Sequence, residues 1–286
     1  MHPKFGPSGN SDIFYKEGHK SSLEAPEWLN GMGLQAFEYS CSRGINIRED
    51  TAIKLGTNAG QYGIELSIHG PYYINMASQD SQKILNSINY IIDSVKAAKW
   101  MGAKLVVFHP GSCAKIDRSV AFKTVLHSLK KTIDILDEMR YTDVIISPET
   151  MGKQNQLGTL DEIMELCKID ERLIPTVDFG HINALGVGSL KCSDDYRKIL
   201  DSIKNSLGEF RLKNMHCHFS RIEFTKAGEK KHWTLADKQY GPDFEPLAEL
   251  LVEYDINATI ICESRGTMAE DALELKSIYE SFLKSN

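Results

Sequence analysis

The sequence of 286 residues lacks the segments that mark membrane and secreted proteins. No run reaches the length of about 18 apolar residues that a membrane-spanning helix needs. The N-terminal stretch has no apolar segment of the signal-peptide type, and the six cysteines include no CxxC pair. We therefore expect reduced thiols in a cytoplasmic protein with no membrane partner, and no motif indicates a protein partner.

A basic excess and an internal linker are also missing. Lys and Arg number 33 against 39 Asp and Glu, and the resulting net charge of −6 argues mildly against a nucleic-acid partner. No linker rich in Pro, Gly or Ser and no repeat divides the chain, so we expect residues 1–286 to form a single domain. The hydrophobic share of 42% excludes a disordered chain.

The chain contains strand-like apolar runs that alternate with amphipathic segments. Apolar residues recur at helical spacing in 81–101 and 119–139, which predicts two long helices. Eight strand–helix units predict a closed α/β fold, the (β/α)8 TIM barrel, with a doubly wound open sheet as the alternative. The eight predicted strands are 4–8, 34–41, 64–70, 104–110, 144–150, 174–181, 212–220 and 259–264.

The predicted strands from the third to the eighth end in imidazole or carboxylate side chains. In TIM barrels the C-terminal strand ends surround the active site, so these side chains would converge on one opening. Uncompensated buried charges are unfavourable, which makes a cation the natural partner. Mixed His and carboxylate ligands suit Zn2+, or Mn2+ and Fe2+, better than Ca2+ or Mg2+. The strand-end residues are His69, His109, Glu149, Asp178, His181, His216, His218 and Glu263, and His232 follows in the loop after the seventh strand.

Six short strings around these residues resemble the endonuclease IV family of apurinic/apyrimidinic endonucleases. They are SIHGPYYIN at 67–75, VFHPGS at 107–112, PETMG at 148–152, VDFGH at 177–181, MH at 215–216 and ICE at 261–263. The resemblance runs from about residue 60 to the C-terminus. It implies a TIM barrel with clustered zinc ions that hydrolyses the phosphodiester 5′ to abasic sites in double-stranded DNA, as in base-excision repair.

By position, the resemblance also assigns ligands. His69, His109 and Glu149 would hold one zinc ion. Glu149, the expected catalytic residue, would bridge to a second ion. The remaining carried-over ligands are Asp178, His216 and Glu263 for the second ion, and His181 and His232 for the third.

The sequence departs from the family pattern in two places. The family's third site has an Asp two residues before its last His, where this chain has Lys230; Glu229 is the alternative ligand. The family's His-x-Asn-Asp on the seventh strand is also replaced. We align His216 with the family ligand there, and His218, which points to the same face, is the alternative. Two to three zinc ions are therefore expected.

Aromatic and basic residues predict the DNA contacts. Tyr72 and Tyr73 follow His69 at the barrel mouth, where they would stack on bases or wedge into the gap left by a missing base; otherwise they pack as a cap on the barrel. A positive rim on an acidic protein is compatible with phosphate binding. The basic residues assigned to DNA are Arg43, Arg221, Lys230 and Lys231.

Two other functions stay open at this point. Glu149, Asp178, His216 and Glu263 alone resemble the single-metal site of xylose-isomerase-like sugar isomerases and epimerases. Such enzymes move a proton beside a sugar carbonyl. A non-catalytic protein that keeps the metal for stability, or binds damaged DNA without cutting it, is the third possibility.

Overall fold

The computed structural model describes residues 2–113 and 116–284. Its strands are β1 (Lys4–Pro7), β2 (Ala36–Ser40), β3 (Glu65–His69), β4 (Leu105–Phe108), β5 (Gly111–Ser112), β6 (Ile145–Pro148), β7 (Gln156–Leu157), β8 (Thr176–Asp178), β9 (His216–Phe219), β10 (Arg221–Thr225), β11 (Gly228–Trp233) and β12 (Thr259–Cys262). Its α-helices are α1 (Asp12–Lys16), α2 (Ala25–Met32), α3 (Glu49–Tyr62), α4 (Ser81–Met101), α5 (Arg118–Glu138), α6 (Leu160–Cys167), α7 (Phe179–Leu185), α8 (Ser193–Leu207), α9 (Glu209–Lys213), α10 (Glu245–Glu253) and α11 (Met268–Leu283), with a 3-10 turn at Ser22–Glu24.

Eight parallel strands close into a barrel. Four pair in the order β2-β3-β4-β6 and four in the order β1-β12-β9-β8. Parallel bridges between Ser8 and Glu38 and between Glu149 and Thr176 join the two sets at both edges. The closed TIM barrel predicted from the sequence is therefore confirmed, and the open-sheet alternative is wrong.

Helices wrap the barrel where the apolar periodicity predicts them. The two long helices are confirmed as α4 and α5, and their apolar stripes, which include Ile91, Val95 and Leu129, are fully buried. Strands shielded by helices on one side and by barrel contents on the other have both faces covered, which explains their continuous apolar runs.

All eight barrel strands are shorter than predicted, and in two of them the change shapes the site. The sixth barrel strand, β8, ends at Asp178, whose Oδ1 accepts a hydrogen bond from the His181 backbone N–H at 2.7 Å and so caps α7. The seventh, β9, begins at His216 because residues 209–213 form α9. His181 consequently lies in the first turn of a helix and not at a strand end.

Two antiparallel elements stand above the C-terminal strand ends. Strands β10 and β11 form a hairpin directly after β9, and β5 pairs with β7. A bridge between Lys153 and Gly228 ties the hairpin to the loop that follows β6. The hairpin is therefore held close to the barrel mouth.

Two further features are the state of the cysteines and the character of the helices. All six cysteines are free, and five of them are buried. Across residues 2–113 and 116–284, no helix combines the length and the apolar character that crossing a membrane requires.

A glycine pair in α3 tests how tightly this helix packs. A Cβ on Gly56 would lie 2.3 Å from the Met101 carbonyl oxygen of α4, whereas a Cβ on Gly60 would meet nothing within 4 Å. We expect Gly56→Ala to lower the free energy of unfolding by about 1–3 kcal/mol through overpacking. Gly60→Ala, the matched control, should raise it by about 0.5–1 kcal/mol because alanine is the better helix former. Denaturant unfolding measures both, and equal effects would contradict the close approach.

Candidate metal centre

The C-terminal ends of the barrel strands bring the predicted ligands together. His69 ends β3, and His109 and Glu149 directly follow β4 and β6. The Glu149 N–H donates to the Phe108 carbonyl at 3.1 Å, which fixes the start of its loop at the height of the neighbouring strand. The strand-end positions predicted from sequence therefore converge on one cluster of side chains.

Glu149 lies at the centre of the cluster and is fully buried. Its Oε2 is 3.2 Å from His69 Nε2 and 3.0 Å from His109 Nε2. Its Oε1 is 3.0 Å from His218 Nδ1 and 3.5 Å from His181 Nδ1. One carboxylate thus faces two separate pairs of imidazoles, one with each oxygen, which is the arrangement a bridging ligand requires.

In three of the histidines, one ring nitrogen forms a hydrogen bond with a carbonyl or hydroxyl oxygen. His69 Nδ1 is 2.9 Å from the Gly70 carbonyl oxygen and His181 Nδ1 is 2.9 Å from the Thr150 carbonyl oxygen. His232 Nδ1 is 2.9 Å from Ser220 Oγ. In His69 and His232 the partner directs Nε2 toward Glu149 and Glu229, an orientation by a second hydrogen bond that is typical of metal-binding histidines. In His181, Nε2 faces Glu229 while Nδ1 also lies 3.2 Å from Asp178 Oδ2.

The seventh strand supplies His218 and not His216 to the four-residue group. Ligand atoms of Glu149, Asp178, His218 and Glu263 lie within 4.8 Å of one another. His216 lies deeper in the barrel, where its Nε2 is 2.9 Å from Glu38 Oε2. The alignment of His216 with the family ligand stays a prediction, and the geometry favours the alternative, His218, because the strand begins at His216 and the residue two places on reaches the level of Glu149.

The third group contains His181, Glu229 and His232, with ligand atoms again within 4.8 Å of one another. Glu229 and His232 are three residues apart on β11, which would place them on opposite faces of a regular strand. The hairpin register shifts between Glu223 and Phe224, so Lys230 is an extra residue in a β-bulge. The bulge returns Glu229 to the face of His232, and Glu229 takes the place predicted for the missing Asp.

Gly152 allows the hairpin to approach. A Cβ at this position would lie 2.8 Å from Glu229 Cβ and 2.9 Å from His181 Cδ2. Any larger residue would push the third group apart, so the glycine after the Pro-Glu-Thr-Met string is a close-approach position.

The surroundings shift the pKa values of the buried carboxylates Glu149 and Asp178 in opposite directions. Burial acts to raise the pKa of Glu149, but His218 and His109 together hold that pKa well below its usual range. Burial also raises the pKa of Asp178, and here the pKa stays raised despite the attraction of His181. Asp178 Oδ2 is buried with no hydrogen-bond partner among the described residues.

These observations fit divalent cations. The donors are imidazole nitrogens and carboxylate oxygens, the set that zinc, manganese and iron use. The Asp178 Oδ2 atom has no hydrogen-bond partner among the described residues, although His181 Nδ1 lies 3.2 Å away, and buried polar atoms without a hydrogen bond are rare. The residues present therefore suit the cofactor that the sequence predicts, although they do not select among these metals.

Some side chains predicted to contact DNA are exposed, whereas others bind to neighbouring groups of the protein. Tyr72 and Tyr73 are each 59% exposed at the rim, and the Tyr72 ring stacks on His109 at 5.5 Å between centroids. Arg43 is exposed in the loop after β2. Arg221, by contrast, is buried: Nε donates to the Leu235 carbonyl at 3.0 Å and Nη2 to Asp243 Oδ1 at 2.7 Å. Its guanidinium holds the loop after the hairpin, so the structure does not favour the predicted DNA contact, which stays a prediction.

The two lysines of the hairpin are engaged by neighbouring side chains. Lys230 pairs with Glu223 at 2.5 Å, and the Lys231 ammonium lies 3.5 Å from the centroid of the Trp233 ring. Both side chains have protein partners, so neither is placed against the metal centre. A DNA contact from these two lysines remains a prediction.

The sequence interpretation missed two residues at the site. Lys153 lines the cavity of about 380 Å³ above the ligands, with its ammonium 3.9 Å from Glu229 Oε1. Glu38 lies fully buried within β2. A carboxylate in the middle of the apolar run Phe37-Glu38-Tyr39 was the available signal, because such a residue has to find a partner inside the barrel.

The histidine pKa values predict how the stability of metal-free protein depends on pH. Burial acts to lower the pKa of His69, but Glu149 raises it to about 9, and Asp178 with Glu149 raises that of His181 to about 10. A pKa raised above its unfolded value stabilises the fold below about pH 6.5, and this stability is lost as pH rises through the folded value. After chelation, the free energy of unfolding should therefore fall between pH 7 and pH 10.

Two variants test whether His181 causes this decrease in the free energy of unfolding. In His181→Gln the pH dependence of unfolding, measured by denaturant titration of chelated protein, should shrink. The control His127→Gln removes an exposed histidine of α5 and should leave it unchanged. A stability that rises toward pH 10 in chelated wild-type protein would contradict the assigned charges.

Comparisons with known proteins place this site in a family. A family model described as xylose isomerase-like TIM barrel matches residues 26–280. An uncharacterized protein of Methanocaldococcus jannaschii is 32% identical over 262 residues, which are 91% of this chain and 92% of that protein. A protein of Staphylococcus carnosus named probable endonuclease 4 is 28% identical over 183 residues. That match covers 61% of this chain and 59% of the relative, less than two thirds of its length.

Solved structures share the barrel. Endonuclease IV from Thermus thermophilus superposes with a TM-score of 0.71 at 19% identity, covering 99% of this chain and 100% of that one. A D-tagatose 3-epimerase-like protein gives the same TM-score of 0.71 at 20% identity, covering 99% and 97%. At these identities the likeness shows the fold alone. The resemblance to endonuclease IV drawn from the motifs is confirmed by the relatives, and the chain belongs to the xylose isomerase-like TIM barrel family.

Proposed function

We propose that this protein is a zinc-dependent phosphodiesterase that cleaves duplex DNA 5′ to abasic sites. The observation that carries the proposal is the third ligand group together with the two-sided Glu149. His69 and His109 lie on one oxygen of Glu149, and His181, Glu229 and His232 form a further group beside the other. A single-metal site does not need these five residues.

Five groups of ligand atoms among the described residues lie close enough to hold a cation, and three of them carry the proposed function; one of the other two is Glu38, His216 and His218. His69, His109 and Glu149 would hold one cation, and the group of Glu149, Asp178, His218 and Glu263 would hold a second. His181, Glu229 and His232 would hold a third. When bound, such ions polarise a phosphodiester and acidify water for attack on it.

The chain's own residues define the space for the substrate. Lys153 and Gln156 line the cavity beside the ligands, and Gln156 Oε1 is buried with no hydrogen-bond partner in the described part of the chain. An ammonium and an amide at the wall would bind the phosphate and sugar oxygens of a DNA backbone. The cavity volume of about 380 Å³ limits entry to a short stretch of backbone or a sugar.

The rim fits a duplex with a missing base. Tyr72 and Tyr73 are the exposed aromatics next to His69 and His109, and Arg43 lies in a neighbouring loop, since the Tyr72 N–H donates to the Ser42 carbonyl at 3.4 Å. An aromatic ring inserted at an abasic gap recovers stacking that the lost base no longer provides. The printed names of the relatives from Staphylococcus carnosus and Schizosaccharomyces pombe, which denote endonucleases, support the same substrate.

A sugar isomerase or epimerase with one divalent metal is the second candidate. The group of Glu149, Asp178, His218 and Glu263 would suffice for it, and the likeness to the D-tagatose 3-epimerase-like fold keeps it open. In that reaction a carboxylate moves a proton beside the sugar carbonyl. Metal number separates the candidates, because one ion per chain favours the isomerase and two to three favour the nuclease.

The first test is cleavage of a defined lesion. Protein reconstituted with Zn2+ or Mn2+ should nick a duplex that carries one tetrahydrofuran abasic analogue, on the 5′ side of the lesion, and leave a 3′-hydroxyl. Denaturing gel electrophoresis of end-labelled strands measures the product, with the same duplex lacking the lesion as the control. Intact lesion duplex together with turnover of a ketohexose would replace the proposal by the isomerase. Retention of the lesion duplex without product would favour a binding protein.

The second test concerns the bridging carboxylate. Glu149→Gln should abolish cleavage and lower the metal content, measured by elemental analysis, by more than one ion per chain, because both oxygens face ligand groups. Glu253→Gln is the matched control, since Glu253 pairs with Arg197 on the outer surface. Loss of a single ion in Glu149→Gln would show that the carboxylate does not bridge.

A further inference from the structure

A layer of polar side chains lies inside the barrel below the metal centre. It consists of Glu38 from β2, Ser67 from β3 and His216 from β9, all buried, and we call it the Glu38 layer. The interior layers of such barrels are filled mostly by branched apolar side chains. A carboxylate with no exposed surface in this position therefore requires a specific partner.

The layer is connected by short contacts. Glu38 Oε2 accepts a hydrogen bond from Ser67 Oγ at 2.9 Å and lies 2.9 Å from His216 Nε2. The other oxygen, Oε1, is 3.0 Å from His218 Nε2, a contact of ion-pair distance in which neither atom has a hydrogen-bond partner among the described residues. Glu38 thus contacts His218 of the candidate metal centre. It also contacts Ser67 and His216, which lie outside the three ligand groups of the proposed function.

His218 connects the two levels through its two ring nitrogens. Nε2 faces Glu38, while Nδ1 is 3.0 Å from Glu149 Oε1 and 3.6 Å from Glu263 Oε1. A neutral imidazole carries its proton on one nitrogen and offers a lone pair on the other. A carboxylate at Nε2 favours the proton there, which leaves the lone pair of Nδ1 directed at the metal centre.

We propose that Glu38 is a positioning residue that sets the orientation and the tautomer of His218. The inference rests on the metal binding in the proposed function, and not on which reaction the metals support. Pairs of this kind, in which a carboxylate binds the far nitrogen of a metal-binding histidine, raise the basicity of the ligand and fix its ring.

The position of the layer argues against a mere packing role. A second cavity, of about 460 Å³, opens at the N-terminal end of the barrel, and Ser67 and His216 line it. The Glu38 layer therefore separates this cavity from the metal centre. An apolar side chain would close the barrel equally well, so the carboxylate is explained by its contact with His218 and not by the need to fill space.

The test compares two variants of the layer in the metal-loaded protein. Glu38→Gln keeps the volume but replaces an acceptor oxygen by an NH2 group, which places a donor against a ring nitrogen. Ser67→Ala is the matched control, because it removes one contact to Glu38 and leaves both imidazole contacts intact. Competition with a chromophoric chelator measures zinc affinity. We expect about 10- to 100-fold weaker binding at the affected site in Glu38→Gln, and less than about threefold weakening in Ser67→Ala.

A second readout uses the wild-type protein and does not depend on the variant folding. Long-range 1H–15N correlation spectra of zinc-loaded protein with labelled histidine distinguish a protonated ring nitrogen from a metal-bound one. The expected result for His218 is a proton on Nε2 and zinc on Nδ1. A proton on Nδ1, or equal zinc affinity in Glu38→Gln and wild type, would overturn the inference.

Two further outcomes separate the possible failures. A zinc ion that is lost in His216→Gln while His218 keeps its tautomer would show that the layer is itself a metal site, which overturns the positioning role. Zinc-loaded wild-type protein that has the expected His218 tautomer but leaves abasic DNA intact would support the inference and refute only the proposed function.

Discussion

The contact between the Glu149 carboxylate and four surrounding imidazoles is the interaction on which the site depends. A carboxylate with no exposed surface is strongly unfavourable unless positive partners surround it, and here His69, His109, His181 and His218 all lie within 3.5 Å of its oxygens. Those imidazoles come from different strands and from one helix. Closure of the barrel brings these imidazoles to one point, so the candidate metal centre depends on the fold.

The hairpin after β9 shows how a change in sequence spacing is absorbed by local geometry. An additional residue between acid and histidine would turn one of them away from the site in a regular strand, whose side chains alternate faces. The bulge at Lys230 restores a common face for Glu229 and His232, and Gly152 leaves the room that their approach needs. The candidate third ligand group of His181, Glu229 and His232 therefore has a different spacing from the family pattern, and its side chains still lie together.

The net charge of −6 is a poor guide to whether the protein binds nucleic acid, because part of its acid is buried. Glu38, Glu149 and Asp178 contribute to the excess of acid, but they are buried inside the barrel against histidines and do not contribute an exposed acidic surface. The exposed side chains near the cavity instead include Tyr72, which lines it, and Arg43 in the loop after β2. The interior acidity that makes the composition unfavourable for nucleic acid belongs to the candidate metal-ligand groups, and under the proposed function bound cations would reverse its sign toward phosphate.

The sequence by itself determined the alternation of strands and helices, the closed barrel and the meeting of His69, His109, Glu149, Asp178 and Glu263, because periodicity is local and parallel strand ends share one edge. Only the tertiary structure separates His216, beside Glu38, from His218, beside Glu149, since both point inward and lie about 6.6 Å apart along the strand. It also decided that Glu229 completes the third group, that Arg221 is buried and that Glu38 touches His218. Each of these depends on strand register, on a bulge or on a contact across the barrel, and such relations between distant segments have no periodic signal in the chain.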